Sequence, residues 1–244
     1  MPARPTRVFL LSPAHCGGIR AGYLLNDSAT FELALKIRTP QGATLGEVFS
    51  FLSGLYFRGK VAYARAFAAP PDGVAESLVI TTNRGLVPAD TFITVADLRD
   101  MGGVDIECDD PRYRRPLERD VRALAARRDV DEVVLLGSVA TGKYVDVLLE
   151  ALGDRLHFPS EFVGRGDMSR GGLMLRCARE GKELAYVPVA GATRHGKRPP
   201  KLGLPNPGRA GGPNPGSAAS NSETNRARRP RQDKPPRRRA PSSG

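Results

Sequence analysis

The sequence lacks the features of disulfide-rich, membrane-spanning and metal-binding proteins. Its 244 residues include only three cysteines, an odd number at unrelated spacings, so we expect no disulfide framework and a reducing compartment. No second cysteine–histidine pair accompanies His15 and Cys16, so no metal site is predicted. The apolar run at residues 8–11 is too short for a signal peptide or a transmembrane helix. We therefore predict a cytoplasmic protein with no membrane partner, metal or cofactor.

Positive charge is concentrated at one end of the chain. The net charge is +11, of which residues 203–244 carry +7 from nine basic and two acidic side chains. Four more basic residues between 194 and 201 leave the first 193 residues near neutrality. From residue 203 the chain is rich in Gly, Pro, Ser and Arg and cannot bury a core. The predicted organisation is an α/β globular domain over residues 1–202 and a disordered basic tail over residues 203–244.

Strand-like and helix-like segments alternate through the globular part. Apolar runs at residues 7–12, 78–82 and 133–136 predict buried strands. Capping boxes that begin at Thr44 and Thr94 predict helix starts, and apolar periodicity predicts helices over 55–69 and 117–128. This alternation is typical of a three-layer α/β domain with a largely parallel central sheet.

Two further segments are interpreted as extended. Residues 31–38 alternate apolar and polar side chains, which favours a half-buried strand, although a short helix also fits. Residues 173–179 and 183–189 flank a glycine turn, which predicts a C-terminal β-hairpin at the edge of the sheet. Residues 162–172, directly before the first of these two runs, are predicted to form a long loop rich in glycine and charged residues.

The turn at residues 137–143 is the most informative local motif. A β-branched run ends at Gly137, and a helix-like segment begins near Tyr144, so strand, tight turn and helix follow one another. Such a turn directs backbone N–H groups and a helix dipole at one point, which suits an anion. The residues also match the G-x-x-x-x-G-K half of a phosphate loop. Tyr144 replaces the magnesium-binding Ser or Thr, however, so ATP hydrolysis is disfavoured, and a structural turn is the alternative.

Polar loops follow four predicted strands, at residues 12–18, 81–90, 137–143 and 160–172. In parallel sheets ligands bind beyond the carboxyl ends of the strands. We therefore expect these loops to converge on one crevice. The candidate phosphate- or nucleic-acid-binding residues are Gly137, Ser138, Thr141, Gly142, Lys143, Arg165, Arg170, Ser160, Asn83 and Arg84. Asp167 and His15 are the candidate catalytic residues, the first as an ionised carboxylate and the second as a base-edge or proton-transfer group.

The order of four motifs resembles a known family. Residues 8–13 (VFLLSP), 55–66 (LYFRGKVAYARA), 80–90 (ITTNRGLVPAD) and 133–144 (VVLLGSVATGKY) are similar to those of uncharacterised bacterial domains related to YaaA-type peroxide-stress proteins and to a domain of archaeosine synthase. The resemblance spans about residues 7–190. It implies an α/β fold and a connection with nucleic acid.

A weaker resemblance is to the uracil-DNA glycosylase superfamily. Residues 12–18 are similar to the loop after that family's first strand, and His157-Phe158-Pro159-Ser160 is similar to its His-Pro-Ser loop. The first loop here has no Asp or Glu, and Phe158 interrupts the second motif. The resemblance therefore implies that another carboxylate, Asp167 or Asp90, takes the catalytic position.

Three functions are compatible with these patterns. The first is a nucleic-acid- or nucleotide-directed hydrolase of the base N-glycosidase kind, with the crevice holding a base that is flipped out of a duplex. The second is a non-catalytic DNA- or RNA-binding protein related to stress or defence. The third and least favoured is a phosphate-loop nucleotide triphosphate enzyme. The expected partner is nucleic acid, with DNA favoured over RNA, contacted through the crevice and through the arginine clusters of the tail.

Overall fold

The computed structural model describes residues 5–140, 142–193 and 196. Strands and helices alternate over these residues. The strands are β1 (Arg7–Leu11), β2 (Ala43–Thr44), β3 (Ser77–Ile80), β4 (Leu86–Pro88), β5 (Phe92–Ile93), β6 (Glu132–Leu136), β7 (Leu156–Pro159) and β8 (Tyr186–Pro188). The helices are α1 (Ile19–Leu25), α2 (Glu32–Ile37), α3 (Leu45–Ser53), α4 (Leu55–Phe67), α5 (Val95–Gly102), α6 (Pro111–Ala126), α7 (Gly142–Leu152) and α8 (Asp167–Glu180).

Six of the strands form one central sheet in the order β4-β3-β1-β6-β7-β8. The inner strands β3, β1, β6 and β7 are parallel, whereas β4 and β8 pair antiparallel at the two edges. Strand β1 is buried along its whole length, as expected when both faces of a parallel sheet are covered by helices. The predicted α/β class with a largely parallel central sheet is confirmed.

The chain reverses its direction of growth at β1. In the sheet, β3 lies next to β1 on one edge of that strand. The chain later returns and places β6 next to the opposite edge of β1. The connections that follow β1 and β6 therefore lead toward opposite edges of the sheet. Such a switch point opens a crevice at the carboxyl edge of the sheet, where α/β proteins bind their ligands.

Helices α4 and α8 make the closest helix contact near this edge. A Cβ atom at Gly59 would lie 2.7 Å from the carbonyl oxygen of Gly171, and one at Gly171 would lie 2.7 Å from that of Leu55. Only glycine at both positions permits this approach of the two backbones. The contact fixes the residues beside it, which include Lys60 on α4 and Arg170 on α8.

The predicted C-terminal hairpin is wrong. Residues 173–179 belong to α8, and Gly181, with φ of 63°, is the left-handed C-cap of this helix rather than a hairpin turn. The side chains of Met174 and Cys177 are buried at helical spacing. Strand β8 does lie antiparallel at the edge of the sheet, but its partner is β7.

Two other boundaries differ from expectation. Residues 32–37 form α2 instead of a strand, because Ala34 and Ile37 are buried one helical turn apart while Leu35 is exposed. Helix α8 begins at Asp167, so the second half of the loop predicted over residues 162–172 is helical. The predicted disordered tail, residues 203–244, lies outside the described part of the chain, as does Thr141.

Candidate functional site

The ends of β1 and β6 meet at Ser12 and Gly137. The Ser12 amide donates a hydrogen bond to the Leu136 carbonyl at 3.3 Å. A Cβ atom at Gly137 would come within 2.8 Å of the Ser12 Cβ and 3.1 Å of the Tyr144 hydroxyl. Glycine at this position therefore allows the two strand-end loops to lie against each other. Around this contact the structure forms two polar regions, one buried and one open.

The buried region is centred on Lys60. This side chain is 0% exposed, and its Nζ donates hydrogen bonds to the Ser12 carbonyl at 2.9 Å and to the Ser12 Oγ at 2.6 Å. The ammonium lies 4.0 Å from the centre of the Tyr56 ring. Burial lowers the pKa of Lys60 to about 7; the Asp167 carboxylate raises it and the Arg170 guanidinium lowers it, both with smaller effect. Within the described residues, Lys60 forms no ion pair with a carboxylate.

Two tyrosines and an arginine surround this pair. The Tyr144 hydroxyl donates to the Ser138 carbonyl at 2.9 Å, and the Arg170 Nε donates to the Phe162 carbonyl at 3.2 Å. The Tyr56 hydroxyl is buried and has no hydrogen-bonding partner among the described residues. Burial raises the pKa of Tyr56, and Arg170 partly opposes this effect through its charge and through the closeness of its guanidinium to the hydroxyl, although the two groups do not meet hydrogen-bond geometry. We call Ser12, Tyr56, Lys60, Tyr144 and Arg170 the buried cluster.

The open region is a cleft of about 220 Å³ between the loop after β1, the end of α5 and the start of α7. We call it the strand-end cleft. Lys143 and Glu107 both line it and form an ion pair, with 2.9 Å between Nζ and Oε1, and their side chains are 50% and 62% exposed. The Glu107 carboxylate raises the pKa of Lys143. The polar side chains that line the cleft are His15, Thr82, Asp105, Glu107 and Lys143.

The structure brings some predicted site residues together. His15 and Lys143 line the strand-end cleft, as convergence of the strand-end loops requires. Gly137 and Ser138 lie against Ser12 and Tyr144. Asp167 and Arg170 occupy the first turn of α8, with 3.7 Å between the Asp167 Oδ1 and the Arg170 Nη1. Gly142 begins α7 directly before Lys143.

Other predicted residues are engaged locally. The Arg165 Nε donates to the Glu161 carbonyl at 2.8 Å, and the Ser160 hydroxyl donates to the Glu161 carboxylate at 3.1 Å. Arg84 forms an ion pair with Asp97 of α5 at 2.6 Å. The Asn83 Oδ1 is buried and accepts no hydrogen bond from the described residues. None of these four side chains lines the strand-end cleft as the structure describes it.

Sequence reasoning missed Ser12, Tyr56 and Lys60 of the buried cluster and the carboxylates of the cleft. Lys60 lies on the same face of α4 as Tyr56, Tyr63 and Phe67, all of which are buried. A lysine at a buried position among these aromatic residues can be recognised in the sequence, and it indicates a polar group inside the fold. Glu107 and Asp105 were not among the predicted site residues, because nothing local indicates that their loop meets Lys143.

A larger cavity of about 360 Å³ lies between α2, α3 and α4, and an ion pair between Lys36 and Glu47 lines it. None of its lining residues follows a strand of the central sheet. Among the described residues, no group of three His, Cys, Asp or Glu side chains is arranged to hold a metal ion. No helix in the described ranges has the length and apolar character needed to cross a bilayer.

The fold and this edge of the sheet define an α/β protein with a strand-end crevice at a topological switch point. Comparisons with protein-family models, curated proteins and solved structures give no match to the chain.

Proposed function

We propose that the chain is a nucleic-acid- or nucleotide-directed hydrolase that cleaves base–sugar bonds, as base N-glycosidases do. The observation that supports this most is the strand-end cleft, where a histidine, a lysine and two carboxylates line one cavity of about 220 Å³. Pockets for drug-sized ligands occupy roughly 300–1,000 Å³. The cleft therefore suits one nucleobase or one sugar rather than a whole dinucleotide.

Each polar residue of the cleft has a role in such a reaction. Cleavage of a glycosidic bond develops positive charge on the sugar, which a nearby carboxylate stabilises while it orients water. Asp105 and Glu107 share the cleft with His15, whereas the Asp167 side chain is 67% exposed on α8 and does not line it. We therefore assign the carboxylate role to Asp105 and Glu107 in place of Asp167. His15 contacts the departing base.

Lys143 is suited to a phosphate group. Its pair with Glu107 is half exposed, and exposed ion pairs contribute little stability. A phosphate can therefore displace Glu107 from Lys143 at small cost and leave this carboxylate facing the sugar. This arrangement also disfavours the phosphate-loop NTPase, because Tyr144 is buried against Ser138 and offers no magnesium ligand.

A base-release assay tests this proposal. DNA and RNA oligonucleotides that carry varied base modifications, and free nucleotides, are incubated with the protein, and released bases are identified by mass spectrometry. We expect release that falls at least tenfold in His15→Ala, Asp105→Asn and Glu107→Gln. Lys36→Ala is the matched control, since Lys36 forms a similar exposed pair with Glu47 away from the cleft. Absence of release from every substrate contradicts the proposal.

The distribution of charge favours a second candidate, a non-catalytic nucleic-acid-binding protein. The first 193 residues are close to neutral overall. Several arginines on and beside α6 are paired with neighbouring carboxylates, namely Arg112–Asp110, Arg114–Glu118, Arg119–Asp120 and Arg127–Asp129. The basic residues from 194 onward therefore carry most of the attraction to a polyanion. Salt-dependent binding to DNA that is lost on deletion of residues 203–244, without base release, distinguishes this candidate.

A further inference from the structure

Ser12 and Lys60 form a close pair that the chemistry of the strand-end cleft does not use. The Ser12 Oγ lies 2.6 Å from the Lys60 Nζ, and the Ser12 carbonyl oxygen lies 2.9 Å from the same nitrogen. We propose that this pair is a second reactive centre, in which Ser12 is a nucleophile toward an activated acyl group and Lys60 is its general base. The inference goes beyond the glycosidic chemistry proposed above and does not depend on it.

A neutral lysine satisfies both contacts. As an ammonium, Lys60 donates to the Ser12 carbonyl and to the Ser12 Oγ, which also lies within hydrogen-bonding reach of the Tyr144 hydroxyl. After loss of a proton, the amine would keep its donation to the carbonyl, and its lone pair would face the Ser12 Oγ and accept the hydroxyl hydrogen. Lys60 has no carboxylate within ion-pair distance among the described residues, and burial lowers its pKa to about 7. An amine with this pKa is partly neutral near pH 7, which is the form that a general base requires.

The placement of the two side chains also fits this chemistry. Both residues are buried, Ser12 with 5% and Lys60 with 0% of its surface exposed, and Ser12 stands at the strand end while Lys60 reaches it from α4. The Tyr56 ring, 4.0 Å from the Nζ, and the Ser12 carbonyl hold the base in place. An activated nucleophile typically has this arrangement, in which a third group orients the base.

Tyr56 supplies an independent observation. Its hydroxyl is buried without a hydrogen-bonding partner among the described residues, although leaving such a group unsatisfied is unfavourable. Tyr144, Asp167 and Arg170 all lie near enough to affect the Tyr56 pKa, so the hydroxyl belongs to the same cluster as the pair. In the proposed reaction this hydroxyl is the donor available within the cluster to the negative oxygen that forms when an acyl carbon is attacked.

The reaction needs no reactant besides ester and water. Lys60 takes the Ser12 hydroxyl proton as the Oγ bonds to the carbonyl carbon. The bond from that carbon to the leaving group then breaks, and the leaving group receives the proton from Lys60. Water next attacks the acyl-serine with Lys60 as base, which releases the carboxylic acid and restores the Ser12 hydroxyl and the Lys60 amine.

A fluorophosphonate tests the pair in the full-length protein, because a nucleophilic serine displaces its fluoride and retains the phosphonyl group. Tandem mass spectrometry should locate the adduct on Ser12, and the labelling rate should rise with pH to a plateau with a midpoint near 7. We expect Lys60→Met to lower the rate by about 100-fold or more. Lys36→Met, the exposed-lysine control, should label as the wild type does.

A second variant covers the case in which Lys60→Met does not fold. In Ser12→Cys the introduced thiol lies beside the Lys60 amine, which should stabilise its thiolate. We expect iodoacetamide to alkylate it faster at pH 6.5 than it alkylates Cys108, which is partly exposed. Slower alkylation, no fluorophosphonate adduct on Ser12, or labelling that is independent of Lys60 and of pH overturns the inference. Base release is measured separately, so failure here does not affect the proposed glycosidase.

Discussion

Two lysines at the carboxyl edge of one sheet have opposite environments. Lys60 is fully buried, pairs with the Ser12 hydroxyl and has its pKa lowered to about 7. Lys143 is half exposed and pairs with Glu107, which raises its pKa. Burial thus favours a neutral amine that can transfer protons, whereas the open ion pair favours a permanent charge that can hold an anion. We therefore assign proton transfer to the buried cluster and anion binding to the strand-end cleft.

A substitution that forces α4 and α8 apart should have the largest effect, because it disturbs the buried surroundings of Lys60 and leaves those of Lys143 unchanged. In Gly171→Ala the new methyl group would lie 2.7 Å from the Leu55 carbonyl oxygen and 2.8 Å from the Tyr56 Cα, both backbone atoms. We expect a loss of about 1–3 kcal/mol in the free energy of unfolding, measured by urea denaturation. Gly22→Ala in α1 is the control, because nothing lies within 4 Å of its Cβ position. Equal stability of the two variants would contradict the close contact.

The pH dependence of stability sharpens the comparison. Lys60 has a folded-state pKa of about 7, below the value of about 10.4 for an unfolded lysine. Between these values the unfolded state binds more protons, so the stability that Lys60 contributes should rise with pH, by at most about 1.4 kcal/mol per pH unit. Denaturation of the wild type and of Lys60→Met at pH 6 to 10 measures this, with Lys143→Met as the comparison. The difference in free energy of unfolding between the wild type and Lys60→Met should change over this range. A constant difference would exclude the lowered pKa.

The hydroxyl groups of two tyrosines on α4 provide a smaller test. The Tyr56 hydroxyl has no partner in the described structure, whereas the Tyr63 hydroxyl accepts from the Leu184 amide at 2.8 Å and lies 2.7 Å from the Tyr186 hydroxyl. We expect Tyr56→Phe to leave stability unchanged or raise it by about 1 kcal/mol, and Tyr63→Phe to lower it by about 1 kcal/mol. Thermal unfolding by circular dichroism compares them. A loss in Tyr56→Phe as large as that in Tyr63→Phe would indicate a bonded hydroxyl.

The smallest expected effect is on the open pair. Glu107→Gln removes the partner of Lys143, but both side chains are at least half exposed, so the denaturation midpoint should not change measurably. The freed ammonium should bind inorganic phosphate about two- to fivefold more tightly, measured by calorimetry. The same substitution at Glu47, which pairs with Lys36, should leave phosphate binding unchanged. Unaltered phosphate affinity in Glu107→Gln would mean that Lys143 is not the anion ligand.

The parallel strands at the centre of the sheet could be predicted from the sequence. The apolar runs in β1, β3 and β6 are local signals, and the capping boxes at Thr44 and Thr94 are present as predicted. Helix α8 was missed because its glycines suggested a loop. Gly171 instead serves a tertiary contact with α4, which no local propensity records. Packing therefore overrode the usual preference of glycine for turns.

The candidate site was only partly accessible to sequence reasoning. The rule that strand-end loops converge placed His15 and Lys143 near each other, and both line the cleft. Lys60 reaches Ser12 from a helix 48 residues later in the chain, so their pairing depends on how α4 packs under the sheet. Glu107 likewise meets Lys143 from a loop 36 residues earlier. Contacts of this kind follow from the assembled fold rather than from any motif.

The contact between Gly59 and Gly171 also bears on how the protein is made. It joins helices whose centres are more than a hundred residues apart in sequence. A ribosome releases α4 long before α8. Until α8 is made, the face of α4 that carries Lys60 is therefore exposed to solvent. Contacts between such distant segments slow folding, because the intervening chain must be ordered first. Until α4 is buried, Lys60 would be an ordinary charged lysine, so its lowered pKa is a property of the assembled fold.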